Sequence, residues 1–261
     1  MDSLRILVVG NSFSTDTMEH AANIALALGI PKLHFGTLYL GGCSIGMHYA
    51  HAIENLPAYV YYTNDGNGWE ETPDYRIEDA VKSADWDWIV IQHGTHGESR
   101  YTSVESYEKL TPLIQYIKER APANTKIAFN LTWMGESTRQ HHEILSYGGD
   151  IAAMRAKLEE VTKQVILTNP LVDRLIPTGT AIENARTSQI GLLTRDCYHL
   201  SMDKGRYIAA LTFLACITER CIDAIDWAPQ GVDPYAKAVA IESANNAIRA
   251  PLCITPSALT K

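Results

Sequence analysis

A nearly unbroken apolar segment, Leu4 to Val9, stands close to the start of the chain and stops at Gly10. A strand built from such residues offers water no polar face, so both of its faces must be covered, as they are inside a parallel sheet. Helical spacing follows from Met18 to Leu28, with Ala21, Ile24, Ala25 and Leu28 on one side and Gly29 and Pro31 closing it. The first unit is therefore strand, loop, helix.

The same alternation continues. Leu33 to Leu40, Trp88 to Gln92, Lys126 to Leu131 and Arg174 to Ile176 read as strands. Val104 to Arg120, Ile151 to Leu167, Tyr207 to Ile222 and Pro234 to Ile248 read as helices. Strands alternating with helices of this length predict a doubly wound, mainly five-stranded parallel sheet between two helical layers, a three-layer α/β/α sandwich. All of residues 1–261 are assigned to that single domain. The stretch Tyr61 to Tyr75, rich in Gly, Asn, Asp and Thr, reads as an inserted surface loop, and His141 to Gly149 as another.

Composition narrows the function classes. With 46% apolar and 20% charged residues the chain is an ordinary packed protein. A net charge of −8, with Lys118, Arg120 and Lys126 scattered among acids, argues against nucleic acid or an anionic membrane as partner. The expected partner is a small molecule, and the oligomeric state stays open. Five cysteines without paired spacing are expected to be reduced, with Cys216 and Cys221 packing as small hydrophobes in an apolar helix. The first residues carry no export signal, which makes the cytoplasm the default location, or the periplasm or exterior if a leader has been removed.

In such sheets ligands bind beyond the carboxyl ends of the strands, so the residues just after each strand come next. After the first strand, Gly10-Asn11-Ser12-Phe13-Ser14 presents a serine hydroxyl at the start of a helix. Ser12 there suits a nucleophile, though Ser12, Ser14 or Thr15 would equally serve as a helix cap. Near the other end, Asp196-Cys197-Tyr198-His199 offers a base for a serine hydroxyl and a carboxylate to orient that base. A capping aspartate beside a surface histidine is the competing reading of that segment alone.

Together the two segments resemble the SGNH (GDSL-like) hydrolases, in which the nucleophile follows the first strand and Asp-x-x-His lies near the C-terminus. Gly10-Asn11-Ser12 stands where that family commonly has Gly-Asp-Ser. The resemblance implies a flavodoxin-like fold, with Ser12 as nucleophile, His199 as general base and acid, and Asp196 orienting the imidazole. It also implies an oxyanion hole from the amides of Ser12 and Gly42, the latter in Gly41-Gly42 after the second strand. The third donor falls in Gly94-Thr95-His96-Gly97, where the family's asparagine is replaced by His96, with Gln92 as rival donor. His93 is read as packing beside the strand.

The Gly-Asn-Ser-Phe-Ser and Gly-Gly-Cys-Ser blocks are similar to those of bacterial carbohydrate-associated esterases, often acetylesterases. The implied activity is release of acetyl or another short acyl group from a carbohydrate through an acyl-enzyme, without a cofactor. Trp133 and Glu136, after the Lys126 strand, are candidates for holding the sugar. His141, His142 and Glu143 lack a third spaced ligand, so no metal is assigned. The rival readings are a non-catalytic carbohydrate-binding relative and an esterase of the thioesterase or lipase kind.

Overall fold

The computed structural model describes residues 2–93, 102–136 and 142–260, the side chains of 142 and 143 excepted. Its strands are β1 (Ser3–Gly10), β2 (Lys32–Tyr39), β3 (Tyr59–Asn64), β4 (Glu70–Tyr75), β5 (Trp88–Gln92), β6 (Lys126–Asn130) and β7 (Arg174–Ile176). They form one seven-stranded sheet in the order β4-β3-β2-β1-β5-β6-β7. The five strands from β2 to β7 in that order pair in parallel, and β3 and β4 add an antiparallel hairpin at the β2 edge. The helices are α1 (Ser12–Met18), α2 (Ala21–Ala27), α3 (Ile45–Ile53), α4 (Ile77–Lys82), α5 (Leu110–Lys118), α6 (His142–Ser146), α7 (Ile151–Val161), α8 (Thr178–Arg186), α9 (Lys204–Thr218) and α10 (Pro234–Arg249).

The period of two in β1 separates the layers. Leu4, Ile6 and Val8 join one core with α1, α2, α8, α9 and α10. Leu7 and Val9 face a second core with α3, α4, α5 and the π-helical turn Thr162–Ile166 that continues α7. Both faces of β1 are thus covered, which is why its sequence is apolar almost throughout. Helix α9 is buried on all sides from Gly205 to Ile217, between α8, α10 and the first two helices.

The structure differs from the sequence reading at several places, among them short helices α3, α4 and α8 that the sequence reading did not include. Tyr61 to Tyr75 is mostly hairpin: its Gly, Asn and Asp residues make the turn, where Asn64 Oδ1 accepts from the amides of Gly66 (2.8 Å) and Gly68 (3.4 Å). Strand β4 escapes the pattern because it is an exposed edge carrying Glu70, Glu71, Pro73 and Asp74. The Val104 to Arg120 helix is a 3-10 turn, Val104–Tyr107, followed by α5, whose start at Leu110 puts Pro112 in the first turn, where its missing N–H costs nothing. The His141 to Gly149 stretch contains α6. Cys221 lies beyond the end of α9 and is exposed, whereas Cys216 is buried and its thiol pushed up to about 11 by that burial.

Candidate active site

At the carboxyl end of the central strand, the turn from β1 into α1 is capped by Asn11, whose Oδ1 accepts from the amide of Phe13 at 3.0 Å. Asn11 Nδ2 donates to the carbonyl of Cys43 at 3.1 Å, tying the loop after β1 to the loop after β2. The other hydroxyls bond locally, Ser14 Oγ to the Asn11 carbonyl (2.5 Å) and Thr15 Oγ1 to the Ser12 carbonyl (2.8 Å). Capping therefore falls to Asn11, and the half-buried Ser12 hydroxyl is turned elsewhere.

It meets His199. Ser12 Oγ lies 2.9 Å from His199 Nε2, and His199 Nδ1 lies 2.7 Å from Asp196 Oδ2. Asp196 Oδ1 also accepts from the amides of His199 (2.6 Å) and Tyr198 (3.0 Å), so the carboxylate caps its own turn and holds the ring together. Burial pushes the Asp196 carboxyl up, but the donors from the His199 ring and the two amides outweigh it and hold it below the usual carboxylate range. Its loop closes on itself through Arg195 N to the His199 carbonyl (2.9 Å), with Cys197 at φ 64° making the tight turn.

Two devices seat this loop, and the sequence reading held neither. Asp16, fully buried one turn beyond Ser12, accepts from Arg195 Nη1 (3.0 Å), Arg206 Nε (2.8 Å) and the amide of Leu200 (2.8 Å). The carboxylate thus grips residues on both sides of the Asp196–His199 segment. Beside it, Phe13 packs against Trp133 and Tyr198 with ring centroids 4.5 and 4.7 Å apart. The sequence signal for Asp16 was only its place one turn after the serine, which an exposed helical aspartate shares.

Trp133 requires correction as a sugar contact. Trp133 is 0% exposed and its indole N–H donates to the Tyr198 carbonyl at 2.8 Å, so its ring supports the His199 loop from within the core. Glu136 turns to Arg186 (3.0 Å) and Thr194 (3.1 Å), and its amide donates to the Cys197 carbonyl (2.8 Å). Both residues brace the loop from behind.

Gly42 takes φ 66°, a left-handed conformation that a side chain would strain, in the turn closed by Cys43 N to the Leu40 carbonyl at 3.1 Å. The amides of Ser12 and Gly42 donate to no acceptor among the described residues. Gln92 is fully buried and its Nε2 donates to Asn11 Oδ1 at 3.1 Å, which ties the amide to the frame beneath the nucleophile loop. His96 lies outside the described residues, as do His141 and the side chains of His142 and Glu143. His93 is buried against Tyr107, with centroids 4.8 Å apart. Among the described residues no cluster of His, Cys, Asp or Glu is arranged to hold a metal ion.

A cleft of about 590 Å³ opens beside Ser12 and His199. Its walls include Thr15 from α1 and Glu19 just after it, Tyr39 from the end of β2, and Tyr62 and Trp69 from the hairpin. None of these was expected from the sequence to meet a ligand; Thr15 read as a cap candidate, and the hairpin carrying Tyr62 and Trp69 read as a loop.

Among solved structures, a DUF4886 family protein from Bacteroides uniformis superposes with a TM-score of 0.92 at 33% identity, over 100% of both chains. A candidate SGNH hydrolase from Slackia heliotrinireducens matches at a TM-score of 0.53 and 18% identity, over 82% of this chain and 99% of that one. Axe2, an acetylxylan esterase from Geobacillus stearothermophilus, matches at 0.52 and 13%, over 87% and 97%. At such identities the latter two establish the shared α/β fold. No curated protein matches the sequence. Residues 5–247 match the family described as a domain of unknown function, DUF4886, and with the full-length likeness to the Bacteroides protein this shows that the chain belongs to the DUF4886 family.

Proposed function

We propose that the protein is a serine ester hydrolase working through an acyl-enzyme. The observation that carries this reading is the continuous chain of contacts from Ser12 Oγ through His199 to Asp196, at 2.9 and 2.7 Å. Ser12 attacks the ester carbonyl while His199 Nε2 takes its proton, and the imidazolium returns that proton to the departing alcohol oxygen. Water, deprotonated by the same imidazole, then cleaves the acyl–Ser12 ester and restores the hydroxyl. Asp196 keeps Nδ1 protonated and Nε2 free to accept. No cofactor takes part in these steps.

The amides of Ser12 and Gly42 are assigned to the oxyanion, and their lack of other acceptors supports this. The third donor is assigned to His96, with Gln92, one of whose two Nε2 hydrogens goes to Asn11, as the rival. For the substrate we propose an acetyl or other short acyl ester of a carbohydrate. The aromatic cleft and the shared fold with an acetylxylan esterase support that choice.

Ser12→Ala is expected to lower kcat for p-nitrophenyl acetate on the order of 10⁴- to 10⁶-fold while leaving the circular dichroism melt in place. Undiminished hydrolysis by Ser12→Ala would refute the nucleophile. A marked preference for long-chain acyl esters over acetate would overturn the short-acyl assignment alone.

A further inference from the structure

The β3–β4 hairpin is an addition at one edge of the five parallel strands, and two of its aromatic side chains face the cleft beside the nucleophile. In acyl transfer the carbonyl oxygen points toward the oxyanion amides and the leaving oxygen toward the imidazole that protonates it. The cleft is bordered by Ser12, His199 and Arg195, and of the two residues whose amides are assigned to the oxyanion, Gly42 is not among its described walls. That asymmetry places the leaving alcohol, rather than the acyl chain, in the cleft. At about 590 Å³ the space also exceeds what an acetyl group fills and falls in the range of sites for molecules of sugar size and larger.

The lining selects the alcohol's chemistry. Tyr39 and Tyr62 meet edge to face with centroids 6.1 Å apart, and Trp69, half-buried, completes an aromatic wall. Such rings offer an apolar face to the C–H face of a sugar, while phenol and indole donors reach its hydroxyls. The hydroxyls of Tyr39 and Tyr62 and the indole N–H of Trp69 bond to no other described residue, which leaves them to a ligand. The charges at the cleft are already matched, Arg195 with Asp16 at 3.0 Å and Glu19 with Arg206 at 2.7 Å, so a neutral alcohol fits better than a phosphorylated or carboxylated one.

We infer that Tyr39, Tyr62 and Trp69 form the subsite for the pyranose ring of the leaving alcohol, and that the hairpin is the element that sets alcohol specificity. The assignment of leaving-group side rests on the esterase reading; the sugar-binding role of the aromatic wall can be measured without it.

Two measurements separate the claims. Glucose pentaacetate is titrated calorimetrically into Ser12→Ala protein and into the same protein carrying Trp69→Ala or Tyr62→Ala. The expected result is binding that weakens about tenfold or more with either second substitution. The ratio of kcat/KM for glucose pentaacetate to that for ethyl acetate is expected to fall by a similar factor in Trp69→Ala and Tyr62→Ala enzymes. Because Trp69 also leans on the hydrophobic core, Tyr62→Ala keeps the test alive should Trp69→Ala fail to fold. Absent binding, or binding unmoved by either substitution, overturns the subsite, as does an unchanged ratio. If sugar binding responds as expected but the unsubstituted protein cleaves neither ester, the esterase reading falls and the subsite stands.

Discussion

Asp16 carries an arrangement that a single substitution can undo. Its carboxylate is 0% exposed and takes hydrogen bonds from two guanidinium groups and from the amide next to His199. Asp16→Asn would take from the buried Arg206 one of its two close counter-charges, leaving Glu19, and would take from Arg195 its carboxylate partner; removing a member of a buried pair costs at most about 3–5 kcal/mol. The expected outcome is a urea midpoint lowered accordingly, together with a kcat for p-nitrophenyl acetate that drops even where the variant is fully folded. Equal kcat in folded wild type and variant would show that the loop is held without it. That Ser12, His199 and Asp196 lie together was expected from the resemblance of two segments taken jointly, since each segment alone reads equally as a helix cap beside an incidental polar residue. Asp16 was not expected, since its partners Arg195 and Arg206 come together with it only through the fold. Trp133 was misread for a related reason: its place after β6 is on the functional rim, but its ring turns inward to Tyr198.

Elements, rather than single residues, decide how close the His199 loop comes to Ser12. Helix α9 begins directly beneath that loop, and at Gly205 an added Cβ would sit 2.3 Å from the Leu193 carbonyl oxygen. That carbonyl also accepts from the amide of Ser201 at 2.8 Å, so the two ends of the loop and the helix share one contact point. Gly205→Ala is expected to cost about 1–3 kcal/mol as an overpacking substitution and to lower kcat more than KM, because the helix must back away from the loop. Thermal melts and steady-state kinetics on the same preparation check both halves. The five parallel strands and the long apolar helices were readable because their period reports burial on both faces or all around. The hairpin was not, because β4 is a polar edge and a turn rich in Asn and Gly looks the same whether or not strands flank it.

Across the whole molecule, two apolar cores on opposite faces of the sheet leave little room for buried charge, and His48 shows the consequence for pH. It is 0% exposed, stacked on Tyr59 with its Nδ1 2.9 Å from the phenol oxygen, and burial pushes its pKa down to about 3. An unfolded histidine takes its proton near pH 6.5, so below that value the unfolded chain binds one more proton than the folded one. Through this residue stability is whole above about pH 6.5 and falls by about 1.4 kcal/mol per pH unit as the pH drops toward the folded value. Urea titrations between pH 7 and pH 4 on wild type and His48→Gln are expected to differ in slope by about that amount, and identical slopes would refute it. The account as a whole turns on the reactivity of one hydroxyl. Treating the protein with a fluorophosphonate, which loses fluoride as the serine oxygen bonds to phosphorus, and mapping the adduct by peptide mass spectrometry tests that reactivity directly. The account predicts a single adduct on Ser12, slowed strongly by His199→Ala; no adduct, or one on another residue with Ser12 unmodified, would contradict it.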